Sequence, residues 1–215
     1  MSKKQVNKSH YNFDNYMGKP RWASIWHQID EVYSLKPDSI LEIGPGPGIF
    51  KTTAKTFGLD VKTLDIAEDL NPDFIASATE MPFDDSHFDV VCAFQMLEHL
   101  PFEISLEVFG EMARVAKKNV VISLPDAQVE WPYSFHIPKI GIKSLRIKNP
   151  FAKNKEHIFD GEHYWEINKA SYELRYITHK LLEVSDCLHL EKTYRVPENL
   201  YHRFFVFSKK QQPAV

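Results

Sequence analysis

The chain has little cysteine: Cys92 and Cys187 stand far apart in 215 residues, with no C-x-x-C pair. That excludes a disulfide scaffold and the common zinc-ribbon spacings. Long apolar runs are missing, so no stretch reads as a membrane-spanning helix. Met1-Ser2-Lys3-Lys4-Gln5 has no signal-peptide core, and the expected compartment is the cytoplasm. An excess of positive charge is also missing. The net charge of −3 gives no general attraction to nucleic acid, which is not expected as a partner. Internal repeats and low-complexity segments are absent. What is present is ordinary for a globular chain: 43% hydrophobic residues, in a length that suits one α/β domain.

One stretch organises the rest. Ser39–Ile43 reads as a buried strand, Gly44-Pro45-Gly46-Pro47-Gly48 as a turn, and Ile49–Phe57 as a helix. Strand, glycine turn and helix open a Rossmann-like nucleotide site, where β-carbons would hold the backbone away from a ligand. A dinucleotide site needs a third glycine where this chain has Ile49. It also needs backbone N–H donors that Pro45 and Pro47 lack. Glu42 before the loop would repel a phosphate. A cationic ligand without phosphate suits the loop better, and S-adenosylmethionine is one. Asp65 ends the next apolar run at the spacing where an acidic residue takes ribose hydroxyls.

With E-I-G-P-G-P-G at Glu42–Gly48, L-D at Leu64–Asp65, M-P-F-D-D-S-H-F-D-V-V at Met81–Val91 and L-E-H-L at Leu97–Leu100, the sequence resembles the class I S-adenosylmethionine-dependent methyltransferases of the type 11 domain family. The resemblance runs from about Ile40 to Pro125. It implies a mostly parallel Rossmann-like sheet closed by an antiparallel hairpin, with helices on both faces. The implied cofactor residues are Arg21 as a clamp on the methionine carboxylate, Glu42, Gly44, Gly46 and Gly48 for close approach, and Asp65 with Ile66. Ser77, Ala78 and Thr79 follow at the adenine, where the family usually carries an acidic residue. Gln95 and Met96 lie at the carboxyl end of the fourth strand, near the methionine part.

The remaining chain frames this unit. Met1–Ser9 is polar and expected to be mobile. A helix from about Pro20 to Leu35 carries Trp22, Ile25, Trp26, Ile29 and Val32 at helical spacing, behind an aromatic-rich lead of Tyr11, Phe13 and Tyr16. Residues 1–38 are read as a helical segment covering the cofactor site, and 39–215 as the methyltransferase domain. Phe102–Lys118 reads as an amphipathic helix with Lys117 and Lys118 complementing its dipole. Asn168 reads as the cap of a helix with Leu174, Ile177, Leu181 and Val184 on its buried stripe. Cys187–Val196 and Tyr201–Ser208 read as the closing strands.

Some forty residues, about 126–165, intervene where a short connection is usual, and such insertions are mostly functional. Their middle, 138–155, mixes apolar residues with Lys139, Lys143, Arg146, Lys148, Lys153 and Lys155. The segment is read as a substrate lid with an anionic preference, or as a peripheral membrane contact. His163 and His202 are the candidate base or acceptor-positioning groups. His99, Trp131, Tyr164, Trp165, Tyr201 and Arg203 are candidate substrate contacts. No metal ligand set is evident, and no metal is expected. The reading is methyl transfer to a small-molecule, lipid-linked or sugar-linked acceptor, at oxygen or nitrogen. Its rivals are a non-catalytic S-adenosylmethionine-binding protein and a nicotinamide-dependent oxidoreductase.

Overall fold

In the computed structural model, residues 11–152 and 155–210 are described. The expected mobile tail, Met1–Ser9, and Lys153 of the basic segment lie outside them. The core strands are β1 (Ile40–Ile43), β2 (Val61–Asp65), β3 (Phe74–Ile75), β4 (Phe88–Phe94) and β5 (Ala116–Pro125). Two more close the chain: β8 (Leu188–Val196) and β9 (Asn199–Lys209). The seven form one sheet in the order β3-β2-β1-β4-β5-β9-β8. The first five are parallel, whereas β9 runs antiparallel to both β5 and β8. This is the expected mostly parallel Rossmann-like sheet with its closing antiparallel hairpin.

Both faces of the parallel strands are covered, which is why β1 and β4 are apolar almost throughout. On one face Leu41, Ile43, Val91 and Ile122 meet α4 (Phe102–Val115) and α5 (Leu174–Glu183) through Phe109, Met112, Ile177 and Leu181. On the other, Ile40, Val90 and Cys92 meet α2 (Lys19–Ser34), which follows the short α1 (Phe13–Tyr16), and α3 (Ile49–Thr56) through Val32, Phe50 and Ala54. Phe109 is fully buried; truncating such a side chain to Ala costs about 3–5 kcal/mol.

Three local expectations are corrected. Helix α4 stops at Val115, because Ala116 turns extended to pair with Phe88 of β4. Lys117 and Lys118 therefore belong to β5, and Lys118 bonds Asp89 instead, at 2.8 Å. The dipole of α4 is met by Lys209 of β9, whose Nζ donates to Ala113 O (3.0 Å) and Ala116 O (2.7 Å). In α2, Trp22 and Trp26 are 54% and 59% exposed, and the buried stripe is Ser24, Ile25, Gln28, Glu31 and Val32. Polar docking turns the helix: Tyr194 Oη donates to Glu31 (2.7 Å), and Asn199 Nδ2 to Ser24 Oγ (3.0 Å). Asn168 does not cap α5. It sits at φ 65° and donates to Asp126 Oδ1 at 2.8 Å, while α5 begins after Glu173.

The insertion builds a second, two-stranded sheet from β6 (Glu130–Ile137) and β7 (Gly141–Lys148). Its root is tied to the main sheet by Asp126 N–H to Tyr201 O (2.7 Å) and by Arg195 Nη2 to Gln128 O (2.8 Å). No helix among the described residues is long and apolar enough to cross a membrane.

Candidate active site

The carboxyl ends of β1, β2 and β4 open onto two adjoining cavities, where an open α/β sheet takes its ligand. Tyr11, Gly44, Gly46, Gln95 and His99 line both. The glycine loop is the divide, and its three glycines all have positive φ. A β-carbon on Gly44 would meet Met96 Cγ at 2.4 Å, and one on Gly46 would meet the Tyr11 ring at 3.3 Å. Gly48 differs from the expected close approach. It lines neither cavity, and a β-carbon there would meet open space; its φ of 73° at the start of α3 is what requires glycine.

The first cavity has an acidic edge and an apolar slot. Asp65 ends β2, with Oδ1 accepting the Ala67 N–H at 2.8 Å. Ile66, Leu70 and Ala78 line the slot, with Ser77 and Thr79, whose hydroxyls bond each other at 2.8 Å. Gln95 is fixed at φ 52° by its N–H on Ser123 O (2.9 Å) and its amide on Ser123 Oγ (3.2 Å). Met96 packs against Gly44.

The second cavity is polar. Glu42 reaches it from β1, 3% exposed, with Oε2 meeting no donor among the described residues. Burial pushes its carboxyl up to about 8, against a smaller opposing pull from Lys51. Arg21 of α2 lines the same space, its guanidinium 4.1 Å from the centre of the Tyr16 ring. The far side holds His163, Tyr201 and His202. Burial drives His202 down to about 3, so this imidazole is neutral at physiological pH. His163 Nδ1 lies 3.0 Å from Glu166 Oε1, which also accepts the Tyr201 hydroxyl. Burial would lower His163, but the Glu166 hydrogen bond and the neighbouring carboxylates hold it above its ordinary value. Behind His163 lies Glu98, fully buried.

Four of the candidate substrate contacts, Trp131, Tyr164, Trp165 and Arg203, line neither cavity. Trp165 is 1% exposed and packs into the core on Phe102, its indole N–H on Leu100 O at 3.2 Å. Tyr164 packs against Phe159, the rings tilted by 33°. Arg203 is bound to the buried Asp126 at 2.7 Å. Trp131 sits on β6. Among the described residues of the insertion, Glu162 and His163 line the second cavity. Tyr11, Tyr16, Glu98 and Glu166 are residues at or beside the cavities to which the sequence assigned no role. The aromatic density of the leader was the one signal for the tyrosines, and Glu98 stood in the L-E-H-L motif; nothing local marks Glu166.

These cavities suit a ligand with a diol at Asp65, a flat ring in the apolar slot and a cation beside Glu42. A family model described as a methyltransferase domain matches residues 19–173. No curated protein matches the sequence. Among solved structures, a protein of Pyrococcus horikoshii OT3 is similar at TM-score 0.61 and 16% identity, over 95% of this chain and 100% of that one. The magnesium protoporphyrin IX methyltransferase of Synechocystis PCC 6803, with bound SAM, is similar at 0.56 and 14%, over 97% and 87%. A 1,6-didemethyltoxoflavin-N1-methyltransferase of Burkholderia thailandensis follows at 0.54 and 11%, over 95% and 87%.

Proposed function

The chain belongs to the methyltransferase domain family, and we propose that it transfers a methyl group from S-adenosylmethionine to a small acceptor in the second cavity. Glu42 carries the reading. A fully buried carboxylate with an oxygen facing a polar cavity calls for a cation, and the ammonium of the cofactor supplies one. Asp65 would take the ribose hydroxyls, and Ile66, Leu70 and Ala78 would sandwich the adenine. Arg21 would meet the carboxylate of the methionine part with its planar fork. One similar solved structure holds bound SAM and another holds 1,6-didemethyltoxoflavin with S-adenosylhomocysteine, which supports the same reading.

The cofactor supplies a methyl on positive sulfur, already activated for in-line displacement. The protein's part is to hold the acceptor behind that methyl and to deal with its proton. His202 is too weakly basic to take a proton, but as a buried neutral imidazole it can orient the acceptor by hydrogen bonding. The proton would be handled by His99 or His163, which line the same cavity. Calorimetric titration with S-adenosylmethionine and its demethylated product tests the reading. One site per chain is expected for both, and no binding of either would refute it.

A second reading concerns where the acceptor comes from. Trp131, Tyr133, Phe135 and Ile137 share one face of β6, and their cross-strand partners include Leu145 and Ile147 of β7. All six are 40–54% exposed. Beside them stand Lys139, Lys143, Arg146 and Lys148. An apolar face with a basic fringe suits an anionic lipid surface, where each cation contributes about 1 kcal/mol. Co-sedimentation with phosphatidylserine vesicles, abolished by Tyr133→Ser with Leu145→Ser, would support delivery of a lipid-linked acceptor. Equal binding to neutral vesicles, or none, would leave only the soluble-acceptor reading.

A further inference from the structure

Glu98, His99 and His163 come from distant parts of the chain. The first two lie in the turn after β4, and the third lies in the insertion. One carboxylate oxygen and one ring nitrogen from each histidine lie within 4.8 Å of one another. The two imidazoles meet edge to face, with ring centres 5.0 Å apart.

Glu98 is the unusual member. It is 0% exposed, and neither carboxylate oxygen meets a donor from another described residue. A carboxylate so buried is costly unless a cation or a set of donors compensates it. Both histidines are also aimed. His99 Nδ1 lies 2.9 Å from Glu162 O, and His163 Nδ1 lies 3.0 Å from Glu166 Oε1. A ring nitrogen fixed on a carbonyl or carboxylate is how a metal-ligating histidine is oriented, its second nitrogen turned to the ion. Glu166 is itself held by Tyr201 and lies 3.7 Å from Lys169.

We infer that Glu98, His99 and His163 form a binding site for one divalent transition-metal ion at the wall of the second cavity. Two imidazoles and one carboxylate suit zinc, iron, cobalt, nickel or manganese rather than magnesium or calcium. A second grouping, Asp160 with His163 and Glu166, is also compact. Its oxygens are already engaged, however: Asp160 Oδ1 accepts the N–H groups of Glu162 (2.9 Å) and His163 (2.8 Å). The orphaned oxygens of Glu98 decide between them. With three protein ligands, the ion keeps coordination positions open toward the cavity, where His99 and His163 are exposed to it. An acceptor oxygen entering one of them would lose its proton more readily. That role rests on the acceptor reading above; the site itself does not.

The test is titration of the chelator-treated full chain with Co²⁺, followed by visible absorbance, with S-adenosylmethionine affinity measured on the same samples. One cobalt per chain is expected. Glu98→Gln and His163→Gln should each weaken it by about tenfold or more, and the exposed His189→Gln should leave it unchanged. Wild-type binding no tighter than about 1 mM overturns the site, as does equal binding by the Glu98 and His163 variants. Cobalt K-edge absorption of the wild-type complex needs no variant. Two imidazoles in the shell uphold the assignment, and one or none refutes it. Cobalt binding without S-adenosylmethionine binding would defeat the methyl-transfer reading and leave the metal site standing. The reverse would defeat only the site.

Discussion

Tyr11 closes over Gly46 so nearly that a β-carbon on the glycine would stand 3.3 Å from the edge of the ring. The leader before α2 thus forms part of the wall of both cavities. Gly46 also sits at φ 52°, where an alanine is strained by roughly 1–2 kcal/mol. Gly46→Ala should lower both thermal stability and cofactor affinity. Tyr11→Ala should weaken the cofactor alone, and the double variant should regain part of the affinity lost in Gly46→Ala, because the two changes share one contact. Strict additivity in calorimetry would show that the contact is idle.

Asp65→Ala should cost about 1.5–3 kcal/mol of S-adenosylmethionine affinity, the range for hydrogen bonds to a charged group. Asp65 also holds the Ala67 N–H that shapes the loop. Asp65→Asn keeps that acceptor and separates the two roles: a cofactor loss as large as that of alanine would assign the effect to the ligand. Unchanged affinity in both variants would remove Asp65 from the site.

Glu42 makes binding depend on pH. Its carboxyl titrates near 8 because burial disfavours the charged form. The folded cofactor-free protein therefore holds this proton more tightly than the unfolded chain, so the Glu42 contribution to stability falls as pH rises from the ordinary carboxyl range through about 8. A cationic ligand favours the ionised form. Cofactor binding near neutrality should release a proton, and affinity should rise with pH until Glu42 is ionised in the free protein. Titrations in buffers of different ionisation enthalpy measure the released proton. Glu42→Gln should abolish both the release and the pH dependence.

Asp89 holds the other end of the sheet. Its Oδ2 accepts Asp38 N–H (2.9 Å) and Lys118 Nζ (2.8 Å). Burial alone would raise this carboxyl, but those two donors bring it below its ordinary value. Its stabilisation is complete above the unfolded carboxyl value of about 3.9 and is lost as pH falls through the lower folded value. Asp89→Asn should cost about 1.5–3 kcal/mol at neutral pH. The deficit should shrink on acidification, as followed by urea unfolding at stepped pH.

The order of elements was legible in the chain itself. Covered strands must be apolar and a glycine turn must sit between strand and helix, so Ser39–Phe57, Val61–Asp65 and Phe88–Phe94 carry their structure locally. The meeting of Gly44, Gly46 and Asp65 at one cavity is legible for the same reason, since they belong to consecutive elements. What tertiary structure alone decided is long-range. Periodicity gave the helix around Trp22 and Trp26, but not that polar bonds to Tyr194 and Asn199 turn those tryptophans outward. Lys209 meets the carbonyls of α4 only because β9 lies beside β5. The length and the mixed basic and apolar character of residues 126–165 suggested a lid, whereas the anchoring of its root by Asp126, Arg195 and Tyr201 is long-range. The Glu98–His99–His163 cluster joins residues more than sixty positions apart, and burial of Glu98 follows from the elements packed around it, not from its neighbours in sequence.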